Sequence, residues 1–256
     1  MNNFPTFQLY DYKDEKCNFH THTTRCKHAT GTEREYVENA IKAGFKVLGF
    51  SDHAPYLFEG GHVSRIRMFM EELEGYVRTI EELKSEYKNE IQIFTGLEME
   101  YFPKLFDKTL SEIMKYPMDY LILGQHYFDD ENGLIYTGSI WEEEERLETY
   151  VERVTTAVET GNFMYVAHPD IIHYVGDDEI YDKHMRKLAR VIKACNMPIE
   201  INLNGYVVKK QYPSATFMKI AVQEGCDFII GVDAHRLPAC AGWFPGCRTR
   251  CCPHCP

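Results

Sequence analysis

Short β-rich runs alternate with longer amphipathic segments along most of this 256-residue chain. Strands connected through helices pair in parallel, with right-handed crossovers, so this alternation predicts an α/β fold. Seven such units suggest a barrel related to the eight-stranded one. The predicted buried strands are CNFH (17–20), VLGF (47–50), IQIFTGLE (91–98), DYLILG (119–124), FMYVAH (163–168), PIEINL (198–203) and DFIIGVD (227–233).

The segments between these strands carry helical periodicity and recognisable ends. In the first of them, Thr32 is a predicted N-cap and Gly44 a predicted stop. A later helix is expected to end at Gly161. The predicted helical segments cover residues 32–44, 70–87, 141–161, 183–195 and 214–225.

Charge and hydrophobicity limit the classes of partner. The chain has 39 acidic and 28 basic residues, a net charge of -11, which disfavours nucleic acid or an anionic membrane as a partner. The N-terminal residues are neither basic nor apolar, and no run of about 18 apolar residues occurs. We therefore expect a cytoplasmic protein with a small-molecule substrate. The sequence does not predict an oligomeric state.

The nine cysteines are unevenly distributed. Four of them, at positions 17, 26, 195 and 226, are expected to be free thiols, whereas five crowd into residues 240–255. This tail is rich in Arg and Pro and contains no Asp or Glu, so we predict one domain over residues 1–235 and an atypical tail, 236–256. A foreign end, from a frameshift or a cloning scar, is one interpretation. The other is a small zinc site using Cys247, Cys251, Cys252, Cys255 or His254.

Potential metal ligands end or follow six of the seven predicted strands. A strand directs alternate side chains to one face, so His20 and His22 can hold one ion, while His28 reaches another from the loop beyond. Barrel active sites form at the carboxyl ends of the strands, so these residues are expected to converge. A single histidine at such a position is more often a core residue; the argument rests on the whole set. It comprises His20, His22, His28, His53, Glu98, His126, His168, Asp233 and His235.

Seven imidazoles and two carboxylates suit three divalent ions, and zinc, manganese and iron all accept such donors. Three ions would make the carboxyl ends of the predicted strands positively charged within an acidic protein. Such a site favours an anionic ester as substrate. Divalent ions lower the pKa of bound water from about 15.7 to roughly 7 and so provide a hydroxide. Hydrolysis of a phosphate ester is the predicted chemistry.

The ordered motifs HTHTTRCKH, GFSDHAP, GLEMEYFP, LGQHY, AHPD, IEIN and GVDAH resemble the PHP (polymerase and histidinol phosphatase) superfamily between about residues 16 and 235. The FSDHAP motif, the RM pair at 67–68 and the later YPS resemble its histidinol-phosphate phosphatase branch. The resemblance implies a distorted (β/α)7 TIM-like barrel with a trinuclear centre. It also implies hydrolysis of L-histidinol phosphate to L-histidinol and phosphate in histidine biosynthesis.

The resemblance further implies how the donors are shared among three ions. His20, His22, Glu98 and Asp233 would hold the first ion. His28, His53 and His235 would hold the second. Glu98, as a bridge, would hold the third with His126 and His168.

Residues outside this ligand set are assigned from their chemistry. Arg67, with Arg65 as the alternative, is a candidate for binding phosphate, since guanidinium matches phosphate bidentately, although a solvated arginine is an equal alternative. Lys209 or Lys210 is a second candidate. Asp52 is expected to orient a histidine or to protonate the leaving group, and Asp170 is considered for the same roles. With Asp52, the predicted catalytic residues are Glu98, Asp233 and His235.

Two other functions remain open from sequence. One is a different PHP phosphoesterase, such as a protein-tyrosine phosphatase or a small phosphodiesterase. The other is a metal-binding protein that keeps the ligands without turnover.

Overall fold

Parallel strands form the centre of the molecule in the computed structural model, which describes residues 15–131, 133 and 135–237. The strands are β1 (Cys17–Asn18), β2 (Val47–His53), β3 (Gln92–Met99), β4 (Tyr120–Leu123), β5 (Ile140–Trp141), β6 (His173–Tyr174), β7 (Ile199–Asn202) and β8 (Phe228–Gly231). The tail from residue 238 onward, including the alternative zinc site, lies outside the described residues, and the predicted domain boundary stays a prediction.

The pairing of these strands is parallel throughout. Strands β1 to β4 form one sheet in chain order, while β7 pairs with β8 and β5 with β6. Isolated parallel bridges extend these groups: Val166 bridges both Leu123 and Ile199, and Ala234 bridges Thr21. The fold is therefore α/β with a curled parallel sheet.

Seven α-helices occur within the described residues. They are α1 (Glu33–Lys42), α2 (Leu73–Tyr87), α3 (Phe106–Ile113), α4 (Glu144–Glu159), α5 (Asp178–Ala194), α6 (Leu203–Val207) and α7 (Ala215–Gln223). Short 3-10 helices cover Thr24–Cys26 and Met70–Glu72. At the start of α1, Thr32 and Glu35 form a reciprocal capping box, which satisfies two backbone donors. Gly44 follows α1 with a φ of 78°.

Several predicted boundaries differ from the structure. The run 163–168 hydrogen-bonds to the segments on both sides through residues 164–167, but its only bridges are at Val166, and its backbone turns into the left-handed region at His168, so it does not form a regular strand. Helix α5 begins at 178 rather than 183, since the Asp177 side chain caps two backbone donors there. The sequence analysis missed α3, α6, β5 and β6. Helices of five or eight residues and strands of two carry little periodicity.

The core has two parts. A large apolar cluster packs the helices against the sheet. A smaller cluster joins side chains from several strands: Cys17, Phe19, Val47, Tyr120, Ile122, Tyr165, Ala167 and Ile229. Within the smaller cluster, the Tyr120 hydroxyl lies within hydrogen-bonding distance of the Phe19 and Phe50 carbonyls, at 2.8 and 3.0 Å. Among the described residues, the helices are too short or too polar to span a bilayer.

Candidate metal centre

The nine predicted donors are termed here the histidine centre, and several of them lie at or just after the carboxyl ends of strands. His53 ends β2 and Glu98 is the last residue but one of β3. His20 and Asp233 follow β1 and β8 by two residues each. The backbone of Ala234 exchanges hydrogen bonds with residues 20 and 22, so the first and last ligand segments are adjacent. The structure thus brings donors from both ends of the described chain to one place.

Glu98 lies at the middle of the histidine centre and is fully buried. Five imidazole nitrogens approach its two carboxylate oxygens. The nearest nitrogen of each ring lies at 2.9 Å for His168, 3.0 Å for His53, 3.5 Å for His20 and His22, and 3.6 Å for His126. This position fits a carboxylate that bridges neighbouring ions.

Asp233 is the second carboxylate. Its Oδ1 lies 3.1 Å from His235 Nδ1, 3.3 Å from His22 Nε2 and 3.6 Å from His20 Nε2. Asp233 and His168 both have left-handed backbones, with φ values of 52° and 30°. Such conformations are costly for non-glycine residues and cluster at functional sites. Local strain therefore coincides with two of the proposed ligands.

His28 lies at the rim. Its ring stacks 4.6 Å from the ring of His235 and 5.4 Å from that of His53, measured between centroids. Its Nδ1 donates to the Cys26 carbonyl over 2.6 Å. That bond leaves Nε2 of the neutral ring as the nitrogen with a free lone pair.

Many atoms in this centre are buried and lack a hydrogen-bond partner. They are His20 Nε2, His22 Nδ1 and Nε2, His53 Nδ1, Glu98 Oε2, His168 Nδ1, Asp233 Oδ1 and His235 Nε2. Buried polar atoms are almost always satisfied in native proteins, so this concentration indicates a missing ligand. Neutral imidazoles and carboxylates suit divalent transition metals. The residues present therefore fit metal ions.

Several groups of donors can each close around one ion. Each consists of atoms that lie within 4.8 Å of one another. Groups made only of predicted donors include His20 with His22 and Glu98, His20 with His168 and Asp233, and His22 with His53 and His235. Shared members show that the candidate ion positions are neighbours.

The side chains of the centre shift one another's pKa values strongly. Burial disfavours a charged imidazole at His20, but three carboxylates outweigh burial and raise its pKa to about 10. These are Glu200, Asp233 and Glu98. At His53, by contrast, burial and then the charge of His22 lower the pKa.

The two carboxylates of the centre stay ionised. Burial disfavours the charged form of Glu98, but the charges of His126, His20 and His53 outweigh burial and hold its pKa well below the usual range. For Asp233, burial is likewise outweighed by the histidines beside it, and the pKa is lowered. Ionised carboxylates are the form that binds cations.

Two buried glutamates outside the ligand set orient its histidines. Glu200 accepts from His20 Nδ1 at 2.7 Å and from the His168 backbone at 3.1 Å, and Glu100 accepts from His126 Nδ1 at 2.9 Å. Such bonds fix the tautomer of a metal-binding imidazole. The sequence analysis missed both residues, although a glutamate inside the apolar strand β7 was a detectable signal.

Asp52 is also buried behind a ligand. Its carboxylate lies 3.5 Å from His22 Nδ1 and accepts from the backbone of His53 at 3.0 Å and from both the backbone and the hydroxyl of Thr23. This position fits the orienting role rather than proton donation to a leaving group. Asp170 does not orient His168 in this way; it accepts from the Ser214 backbone, and burial raises its pKa to about 6.

The surroundings of Arg67 do not support its predicted role in binding phosphate. Arg67 is fully buried, and its guanidinium pairs with Glu100 at 2.5 and 2.8 Å and with Glu131 at 2.5 Å. These two carboxylates and the Ala54 carbonyl occupy its donors. The nearby alternative, Arg65, is exposed and does not line the cavity above the histidine centre.

A cavity of about 750 Å³ opens above the histidine centre. Three tyrosines, at 127, 136 and 212, form part of its wall with Val207 and Val208. Lys210 and Arg236 supply positive charge, whereas the predicted Lys209 is exposed and does not line it. Arg236 was missed because the predicted domain ended one residue earlier.

Comparison with known proteins gives a family match. The profile described as "PHP domain" matches residues 18–204. A "Probable histidinol-phosphatase" from Deinococcus radiodurans is 29% identical over 233 residues, which cover 86% of each chain. A "Histidinol-phosphatase" from Bacillus subtilis is 31% identical over 127 residues, 47% of each chain.

Solved structures share the fold. One is the histidinol phosphate phosphatase of Lactococcus lactis, complexed with Zn, L-histidinol and phosphate. It is 20% identical, with a TM-score of 0.66 and coverage of 87% of each chain. Another is described as the "putative histidinol phosphatase hisK" from Listeria monocytogenes. It has a TM-score of 0.72 at 20% identity. That match covers 88% of this chain and 97% of the other.

Proposed function

The chain belongs to the PHP domain family, and from that premise we propose that it is a metal-dependent phosphomonoesterase that hydrolyses L-histidinol phosphate to L-histidinol and phosphate. The observation that carries this proposal is the histidine centre, where buried donor atoms without partners face one cavity. The Deinococcus radiodurans relative supports the choice of substrate, because its match extends over 86% of both chains.

We propose that the centre holds three divalent ions of the zinc, manganese or iron class. The first would be held by His20, His22, Glu98 and Asp233. The second would be held by His28, His53 and His235, and the third by Glu98, His126 and His168. The short distances from Asp233 to His22 and from Glu98 to His168 support the first and third sets.

Divalent ions in this centre would supply a hydroxide at neutral pH and positive charge for the phosphate oxygens. The chain's own residues supply position. Glu200 and Glu100 hold the rings of His20 and His126, and Asp52 lies behind His22. The orientation of a metal-binding imidazole is set by the hydrogen bond that its other ring nitrogen donates.

Substrate contacts are proposed from the cavity wall. Lys210 and Arg236 are the cationic side chains that line it, so they replace Arg67 as candidates for the phosphate group. The tyrosines offer ring faces and hydroxyls to the remainder of a substrate of histidinol size. A cavity of this volume is within the range usual for small-molecule sites.

We also propose that the curled sheet closes into a distorted (β/α)7 barrel. The bridges at Val166 and Ala234 support closure, since they continue the pairing from β4 to β7 and from β8 back to the segment after β1. The domain would then extend to residue 235. We propose a cytoplasmic location, which fits the finding that the four cysteines in the described part of the chain form no disulfide bond.

A substrate panel with added zinc or manganese tests the function. Phosphate release should be much faster from histidinol phosphate than from phosphotyrosine or a dinucleotide diester. The reversed order would assign the protein to another PHP phosphoesterase activity. A protein that binds metal but releases phosphate from none of these substrates would be a metal-binding protein without turnover.

Elemental analysis tests the number of ions and should find close to three per chain.

A further inference from the structure

The thiol of Cys26 lies beside the histidine centre and was not among its predicted donors. Cys26 ends the 3-10 helix Thr24–Cys26 and is fully buried. Lys27 then turns the chain with a φ of 65°, and His28 donates to the Cys26 carbonyl. Cys26 and His28 are therefore held in one tight turn that begins four residues after His22.

The sulfur is positioned among donor atoms. Cys26 Sγ and one ring nitrogen each of His28 and His235 all lie within 4.8 Å of one another. A second group of the same compactness joins Cys26 with His22 and Asp52. His22 is fully buried, and both of its ring nitrogens lack hydrogen-bond partners. An unsatisfied buried imidazole therefore lies next to the thiol.

The other buried cysteines have a different environment. Cys226 Sγ donates to the Ala189 carbonyl at 3.3 Å, and Cys17 packs in the smaller apolar cluster. These are ordinary positions for a small apolar side chain. Cys26, in contrast, is grouped with histidines as a candidate metal ligand.

We propose that Cys26 is a thiolate ligand of the ion on the His28 and His235 side of the centre, and that it makes this position selective for zinc over manganese. Sulfur is a soft donor that favours zinc, whereas manganese favours oxygen. Binding releases the thiol proton to solvent as the metal–sulfur bond forms. The inference rests on the proposed metal centre and adds a donor to it.

Cobalt absorption tests the inference without an activity assay. The five tail cysteines and the exposed Cys195 are first replaced by serine in the full chain, which leaves Cys17, Cys26 and Cys226. Titration of the metal-free protein with Co²⁺ should then produce a thiolate-to-cobalt charge-transfer band in the near ultraviolet. Cobalt ligand-field bands without that band would overturn the Cys26 assignment and leave the centre intact. Absence of any cobalt binding would reject the centre itself.

Variants in the same background locate the sulfur. Cys26→Ser should remove the band and weaken zinc binding by about tenfold or more relative to manganese binding. A change of this size is typical when a metal site loses even an outer-shell partner. Cys226→Ser is the matched buried control and should keep both. A band that persists in Cys26→Ser would overturn the inference. If Cys26→Ser fails to fold, the band in the parent protein still decides, because Cys17 packs in the smaller apolar cluster and Cys226 donates to the Ala189 carbonyl.

Discussion

Two buried clusters of charged side chains lie close together in this protein and differ in one respect. The histidine centre contains many donor atoms without hydrogen-bond partners. The arginine cluster, formed by Arg67, Glu100 and Glu131, is equally buried, but its guanidinium bonds to both carboxylates. Burial alone therefore does not identify a binding site. What distinguishes the centre is the unpaired state of its atoms, which a bound cation would satisfy.

The two clusters meet at Glu100. Its Oε1 accepts from Arg67 at 2.5 Å and from His126 Nδ1 at 2.9 Å. Burial disfavours the ionised form of Glu100, but the Arg67 charge and His126 outweigh burial and lower its pKa. The satisfied cluster thus supports a ring of the unsatisfied one.

The largest effect is expected from Glu98→Gln, which removes a charge from the middle of the histidine centre. Turnover should fall by more than about a thousandfold, since losing even an outer partner of a metal ligand costs up to about a hundredfold. Zinc should raise the melting temperature of the parent protein but not that of Glu98→Gln. Glu74→Gln, at an exposed position of α2, is the control. An active Glu98→Gln protein would contradict the assigned centre.

Arg67→Met should break the arginine cluster and cost about 3 to 5 kcal/mol of folding free energy, because it leaves buried carboxylates unpaired. Denaturant unfolding measures this loss. Adding Glu100→Gln and Glu131→Gln to Arg67→Met removes the orphan charges and should recover part of the stability. If Arg67→Met instead left stability unchanged and weakened phosphate binding alone, the structural role assigned to Arg67 would be wrong.

Glu200→Gln should affect the centre less than Glu98→Gln, because Glu200 acts through His20. Losing an outer-shell partner typically lowers metal affinity or activity by about 10- to 100-fold. Competition with a chelator measures zinc affinity, and Glu179→Gln, at an exposed position of α5, is the matched control. Equal zinc affinity in both variants would remove Glu200 from the support of the centre.

The smallest effect on stability is expected at Arg34 and Glu86. These residues form an arginine–carboxylate pair, like those of the arginine cluster, but the pair is exposed. Arg34 donates to Glu86 at 2.5 and 2.6 Å and lowers the pKa of that carboxyl. A lowered carboxyl pKa contributes stability above the unfolded pKa and loses it as pH falls through the folded pKa. Glu86→Gln should therefore lower the melting temperature slightly at neutral pH and not in acid. A loss as large as that of Arg67→Met would mean that exposure does not weaken such pairs.

The proposed ligands could be selected from the sequence because their positions follow a rule. A histidine or carboxylate after a buried parallel strand points to the carboxyl edge, as His53, Glu98 and Asp233 do here. The alternation of short β-rich runs with amphipathic segments indicated the α/β architecture. No comparable rule concerns a side chain in a loop, where burial depends on distant partners.

Arg67 shows this limit. Its partners Glu100 and Glu131 lie 33 and 64 residues away, so the sequence did not reveal that its charge is already neutralised. Cys26 was missed for the opposite reason. It was predicted to be a free thiol from the spacing of cysteines along the whole chain, whereas the local turn places its sulfur among imidazoles.

The contact between the first and last ligand segments has a consequence for biogenesis. The Val232 backbone donates to Asn18 across 214 positions of sequence, beside Asp233 and His235. A chain still emerging from the ribosome presents His20 and His22 long before these partners exist. Metallation in the arrangement proposed here must therefore follow translation of residue 235, and early fragments would hold ions only loosely.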